Sequence, residues 1–134
     1  MRELEKLFKG LADITRLRIL NLLLHGELCV CDVQQIVGAL QPNISRHLTY
    51  LKNSGLVLDR RDGPRMYYRL AEPMDDARKQ LFFFLRTAFS QNAAFEEDSH
   101  KLQKAIEDGA CNATQWHPYS GLPRDPCNTE RLGQ

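Results

Sequence analysis

Two thiols one residue apart, Cys29 and Cys31, lie in the stretch Glu27-Leu28-Cys29-Val30-Cys31-Asp32-Val33. Thiolates are the side chains that select soft ions, and adjacent thiols also oxidise readily. Ten residues after the second thiol comes Gln41-Pro42-Asn43-Ile44-Ser45-Arg46-His47-Leu48, which carries side chains suited to reading DNA base edges. A soft-ligand pair placed next to a DNA-reading segment points to a sensor, in which whatever binds sulfur controls what binds DNA. Residues i and i+2 do not share a face of a regular helix. Two sulfurs can therefore meet on one ion only if the backbone between them is extended or at a helix start.

The elements that position these residues follow from hydrophobic period and capping. Leu4, Leu7, Phe8 and Leu11 predict a first helix over residues 3–11. Asp13 caps a second, with Ile14, Leu17, Leu20, Leu23 and Leu24 as its apolar stripe and His25-Gly26 at its end. A short third helix is expected from Asp32 to Val37, stopped by Gly38. The fourth starts near Pro42, where a proline costs no hydrogen bond, and runs to Asn53. Ile44, Leu48 and Leu51 then face inward, leaving Asn43, Arg46, His47 and Tyr50 outside. The period changes to strands over residues 56–61 and 65–70, with Asp62-Gly63-Pro64 turning between them. From Met74 to Asp108 the chain reads as helix again, with the run Phe82-Phe83-Phe84 covering more than one face.

This order is that of a winged helix-turn-helix, mainly α with one β-hairpin. Residues 1–110 are expected to form the DNA-binding and dimerisation domain, and residues 111–134, rich in Pro and Gly, a disordered tail. Two-fold DNA sites demand a dimer, and the first and last helices with their Phe run are the expected seam.

Net charge is only +1, but residues 41–70 hold six cations against two anions, leaving the rest of the chain at −3. A basic centre in a neutral protein marks a localised phosphate-binding face. The DNA-contact candidates are Gln41, Asn43, Ser45, Arg46, His47 and Tyr50 on the helix, and Arg60, Arg61 and Arg65 on the wing. No apolar run is long enough for a membrane span. The charged start Met1-Arg2-Glu3-Leu4-Glu5-Lys6 is unlike a signal peptide, so the cytoplasm is the expected location. Cys29 and Cys31 are expected to be too close to bridge and to stay reduced. His25 is expected to be a solvated helix-end residue. Asp98, His100, Glu107 and Asp108 are expected to form a solvated charged face.

From Leu7 to Leu70 the pattern resembles the ArsR/SmtB family of metal-responsive bacterial repressors. The block Leu7-Phe8-Lys9-Gly10-Leu11-Ala12-Asp13-Ile14-Thr15-Arg16-Leu17-Arg18-Ile19-Leu20 is similar to that family's opening, with Ile14 where proline is common. Ser45-Arg46-His47-Leu48 and Ser54-Gly55-Leu56-Val57 resemble its recognition helix and wing entry. Glu27-Leu28-Cys29-Val30-Cys31-Asp32 resembles the arsenical-resistance repressor branch, whose third cysteine is replaced here by Gln34. The resemblance implies a repressor that binds operator double-stranded DNA as a homodimer and releases it when As(III) or Sb(III), acting as inducer, binds Cys29 and Cys31. A third ligand is open between Cys111, Cys127, a small cellular thiol and water, and a two-thiol site also suits an organoarsenical. A zinc- or cadmium-responsive repressor and a thiol-redox switch are the alternatives. No catalytic cofactor is expected. An enzyme such as an arsenate reductase is disfavoured, because the pair is not Cys-X-X-Cys and no phosphate-cradling glycine loop accompanies it.

Overall fold

Asp13 starts the helix around which the rest of the chain assembles. Its Oδ1 accepts hydrogen bonds from the backbone N–H of Thr15 at 2.8 Å and Arg16 at 3.1 Å, satisfying two donors that the first turn would otherwise leave unpaired. The computed structural model describes residues 1–72 and 75–109. These form α1 (Arg2–Leu11), α2 (Ile14–Leu23), β1 (Leu28–Cys29), α3 (Val30–Val37), α4 (Gln41–Asn53), β2 (Val57–Asp62), β3 (Arg65–Leu70), α5 (Asp76–Ser90) and α6 (Ala93–Glu107). The expected winged helix-turn-helix is the observed fold. No helix among the described residues is long and apolar enough to cross a membrane.

Helix α2 is buried nearly all round, because α3, α4, α5, α6 and β3 all pack on it. Ile19 and Leu22, outside the expected stripe, are therefore as buried as Leu20 and Leu23, whereas Ile14, at the exposed first turn, is 64% accessible. Helix α1 closes on the α4–β2 corner at Gly10. A Cβ there would lie 2.8 Å from Leu56 Cδ1 and 2.9 Å from Ser54 Oγ, so any larger residue would force those side chains to shift. Gly38, at φ 80° in the left-handed region, ends α3 and turns the chain toward α4.

The sheet and the last long helix depart from the sequence expectation. The sheet has three strands, not two, in the order β1-β3-β2, all antiparallel. The added strand β1 is only Leu28–Cys29 and pairs Leu28 with Tyr68 and Cys29 with Tyr67. A two-residue strand has no period of its own, so nothing local announces it.

The second correction is at the long helix from Met74, which is two helices. It breaks at Gln91-Asn92, where Asn92 Oδ1 accepts from Ala94 N at 3.0 Å and caps α6. Helix α6 then folds back along α2. Phe89 and Phe95 stack across the turn with ring centroids 4.4 Å apart, and Asn21 Nδ2 donates to the Phe95 carbonyl at 2.9 Å. Asp98, expected in solvent, is 3% accessible and accepts from Arg18 Nε and Nη2 at 2.7 and 3.0 Å. A buried carboxylate needs such a paired donor, and only the return of α6 supplies it.

The Phe run splits by rotation about α5. Phe82 packs inward with Leu85 and Phe89, spaced i, i+3 and i+7. Phe83 and Phe84 fall on the outer faces at 47% and 65% accessibility.

Candidate thiol site and nucleic-acid interface

Cys29 is at once the last residue of β1 and the N-cap of α3, with extended backbone at φ −72° and ψ 150°. Cys31 is the second residue of the helix. The third helix therefore begins at Val30 rather than Asp32, and the pair straddles its start, the geometry that a shared ligand requires of an i, i+2 pair. Asp32 Oδ2 accepts from Cys29 N at 3.2 Å, and Cys29 Sγ accepts from Cys31 N at 3.3 Å. The two sulfurs are joined as a disulfide, against the expectation that they sit too close to bridge. The extended backbone at Cys29 separates the Cα atoms by 5.2 Å, inside the span that a disulfide crosses.

The sulfurs and an Asp32 carboxylate oxygen lie within 4.8 Å of one another, a compact donor set. In the reduced state two thiols at one point suit a soft, thiophilic centre. The positive end of the helix favours negative charge there, and the thiolate is the ligating form. Asp32 is a hard oxygen donor already engaged with Cys29 N, so sulfur dominates the set. Cys29 is buried and Cys31 exposed, so the site opens to solvent through Cys31. Cys111 and Cys127 lie outside the described residues.

His25 does not serve this cluster and is not a solvated end residue. It is largely enclosed, with Nε2 3.0 Å from Ser99 Oγ on α6. Burial, aided by the nearby positive charge of Arg86, pushes its imidazole down to about 4. The unfolded chain protonates near the ordinary value of about 6.5 and so binds the proton first as pH falls. The stability that neutral His25 contributes is present above pH ~6.5 and is lost as pH drops toward ~4, roughly 3 kcal/mol. Urea unfolding of His25→Gln should show a flatter pH dependence over that window; a slope equal to that of the unaltered protein would contradict this account.

On α4 the inward residues are Ile44, Leu48 and Leu51, as the sequence indicates. Gln41, Asn43, Arg46 and Tyr50 are exposed and Ser45 is half-buried. Thr49 joins the exposed face and was not anticipated; one turn beyond Ser45 on a helix, its position alone marks it. His47 turns toward α2 instead of standing free. His47 Nδ1 lies 3.4 Å from Arg16 Nη1 and 3.8 Å from Asp13 Oδ1. The Arg16 guanidinium sits over the Tyr50 ring at 4.1 Å, while its Nε donates to the Gly10 carbonyl at 2.9 Å. Arg16 of α2 thus contacts both α1, at Gly10, and α4, at His47 and Tyr50.

On the wing, Arg61 and Arg65 are exposed, and like Arg46 they enter no ion pair among the described residues. Arg60 differs. Its Nε and Nη2 donate to Glu27 Oε1 at 2.8 and 2.5 Å, and its guanidinium lies 4.5 Å over the Tyr67 ring. Arg69 reaches the other Glu27 oxygen at 3.5 Å.

Residues 13–58, from the Asp13 cap through the thiol pair and α4 into the wing, match the model of the bacterial regulatory protein, arsR family. An arsenical resistance operon repressor of Staphylococcus aureus is 42% identical over 81 residues, 60% of this chain and 78% of the relative. The chain belongs to the ArsR family. An arsenical resistance operon repressor of Escherichia coli is 55% identical over 67 residues, 49% of this chain and 57% of that protein. A cadmium resistance transcriptional regulatory protein homologue of Staphylococcus aureus is 44% identical over 80 residues, 59% of this chain and 64% of the relative. Among solved structures, a homodimeric winged helix-turn-helix DNA-binding domain from Mycobacterium bovis superposes with a TM-score of 0.58 at 33% identity, covering 67% of this chain and 81% of that one. An antimony-specific transcriptional repressor superposes at 0.55 with 30% identity, covering 66% and 78%. The ArsR family match thus spans the segment that holds both the thiols and α4.

Proposed function

We propose that this ArsR-family protein is a homodimeric transcriptional repressor whose hold on operator DNA weakens when As(III) or Sb(III) binds Cys29 and Cys31. The observation that carries this reading is the placement of two converging sulfurs at the start of α3, the helix that packs directly on α4. Once a cellular dithiol has reduced the Cys29–Cys31 disulfide, itself becoming oxidised, arsenite supplies a thiophilic centre, and each thiol that ligates it displaces one hydroxide as water. The chain supplies a helix start whose capping bonds, Cys29 N to Asp32 and Cys31 N to Cys29 Sγ, must accommodate the ligand. Distorting that cap shifts α3 and with it α4. The relatives named for arsenical resistance and the antimony-specific repressor support the metalloid class. The cadmium relative favours a second reading, a divalent soft metal at the same sulfurs.

Gln41, Asn43, Ser45, Arg46, Thr49 and Tyr50 would face base edges, and Arg61 and Arg65 would meet phosphate. The outward Leu4 and Phe8 of α1 and Phe83 and Phe84 of α5 would form the dimer seam, since apolar side chains this exposed are costly in a free monomer.

The test is fluorescence anisotropy of reduced protein on the DNA upstream of its own gene, titrated separately with arsenite, methylarsenite and zinc. Release by a trivalent arsenical supports the proposal, release by zinc alone moves it to the second reading, and tight binding indifferent to all three overturns both. In the same assay Arg46→Ala should weaken operator binding by ~1–3 kcal/mol without altering arsenite binding. Unchanged operator affinity would remove Arg46 from the interface.

A further inference from the structure

The thiol pair is joined to the wing as directly as it is to α3. The registers of the sheet place Cys29 of β1 opposite Tyr67 of β3, and Tyr67 opposite Arg60 of β2. Directly opposed residues in antiparallel strands project to the same face. Cys29, Tyr67 and Arg60 therefore form one row across three strands. Glu27, which immediately precedes β1, reaches that row through its side chain. Its carboxylate receives Arg60 through two hydrogen bonds and Arg69 through one, and it is well shielded, with a side-chain accessibility of 16%. Arg60 is clamped from both sides, by Glu27 and by the ring of Tyr67 at 4.5 Å.

We propose that Glu27 is a positioning residue that couples the thiol pair to the DNA-facing wing, by tying β1 to Arg60 and Arg69. A ligand on Cys29 displaces the end of this two-residue strand. Glu27 immediately precedes this strand and carries the displacement to β2 and β3 through its ion pairs. The wing arginines beyond, Arg61 and Arg65, ride on those strands. The signal thus reaches DNA along the sheet as well as through α3 and α4, and the sheet arm depends on the charge of a residue that touches neither inducer nor DNA.

The inference rests on the inducer reading of the thiol pair, and the experiment separates the two. Operator affinity is measured with and without arsenite for the unaltered protein and for Glu27→Gln, Arg60→Gln and the double variant, with arsenite stoichiometry and melting temperature recorded for each. Unaltered protein should lose operator affinity within the ~5–150-fold range of ordinary allosteric coupling. In Glu27→Gln the loss should shrink at least about threefold while arsenite stoichiometry holds, and the double variant should respond like Glu27→Gln alone. An undiminished arsenite response in Glu27→Gln overturns the proposal, as does loss of arsenite binding in that variant, which would make Glu27 part of the thiol site. Unaltered protein that binds arsenite but ignores it on DNA overturns the inducer reading, and the coupling with it. A purely structural role would lower the melting temperature without changing the arsenite-on to arsenite-off ratio.

Discussion

Replacing Cys29 or Cys31 with serine will leave a protein that binds its operator and no longer releases it on arsenite. A serine hydroxyl is a hard, weakly acidic donor that does not hold a thiophilic centre. Either substitution leaves one thiol, and the response should collapse from a ~5–150-fold loss of operator affinity to essentially none. Folding should survive, and the reason lies in the local geometry. Cys29 is the N-cap of α3 and accepts from Cys31 N through its sulfur. Serine is among the best N-cap residues, so Cys29→Ser keeps or improves that cap. A lost response in that variant therefore reports lost ligation and not a damaged helix. Cys31 is exposed, and its replacement by serine removes little packing. Anisotropy titration with arsenite on each variant decides the matter. Release at unaltered arsenite concentrations from either variant would rule out the thiol pair as the inducer site.

Phe82→Ala and Phe84→Ala, two residues apart in one run, should fail in different ways. Phe82 is fully buried with Leu85 and Phe89 against the core, and truncating it should cost ~3–5 kcal/mol of folding stability through lost transfer energy and the cavity left behind. A domain of this size has roughly 5–15 kcal/mol in all, so the variant should be partly unfolded near physiological temperature. Phe84 is 65% accessible in the single chain and has little core to lose. Its truncation should leave the fold intact and shift the monomer–dimer balance toward monomer. Urea unfolding at high protein concentration reads the first effect, and sedimentation equilibrium on dilution reads the second. Equal unfolding midpoints for the two variants would contradict the inward and outward assignment. A Phe84→Ala protein that stays dimeric at every dilution would remove α5 from the seam.

The parts of this protein that were legible in its sequence are those whose physics is complete within a few residues. Asp13 caps α2 through contacts two and three residues away. Ile44, Leu48 and Leu51 bury one face of α4 because a helix repeats every 3.6 residues. The hairpin closes at Gly63, a residue suited to the φ of 59° that it adopts. The spacing of Cys29 and Cys31 already required an irregular helix start, and the structure supplies one. Fold class and the candidate thiol site therefore followed from local rules.

What only the tertiary structure decided depends on partners distant in the chain. The pairing of Cys29 with Tyr67 needs a strand too short to show a period. The clamp of Glu27 on Arg60 joins residues 33 apart, turning an expected phosphate contact inward. Arg18 and Asp98, 80 apart, and His25 and Ser99, 74 apart, meet only because α6 doubles back after Asn92. A charged or titratable side chain is read as solvated until something covers it, and no nearby residue says what will. Local rules determine which elements form and which way they face; burial and charge pairing belong to the elements that close over them, and those are set by the packing of the whole chain.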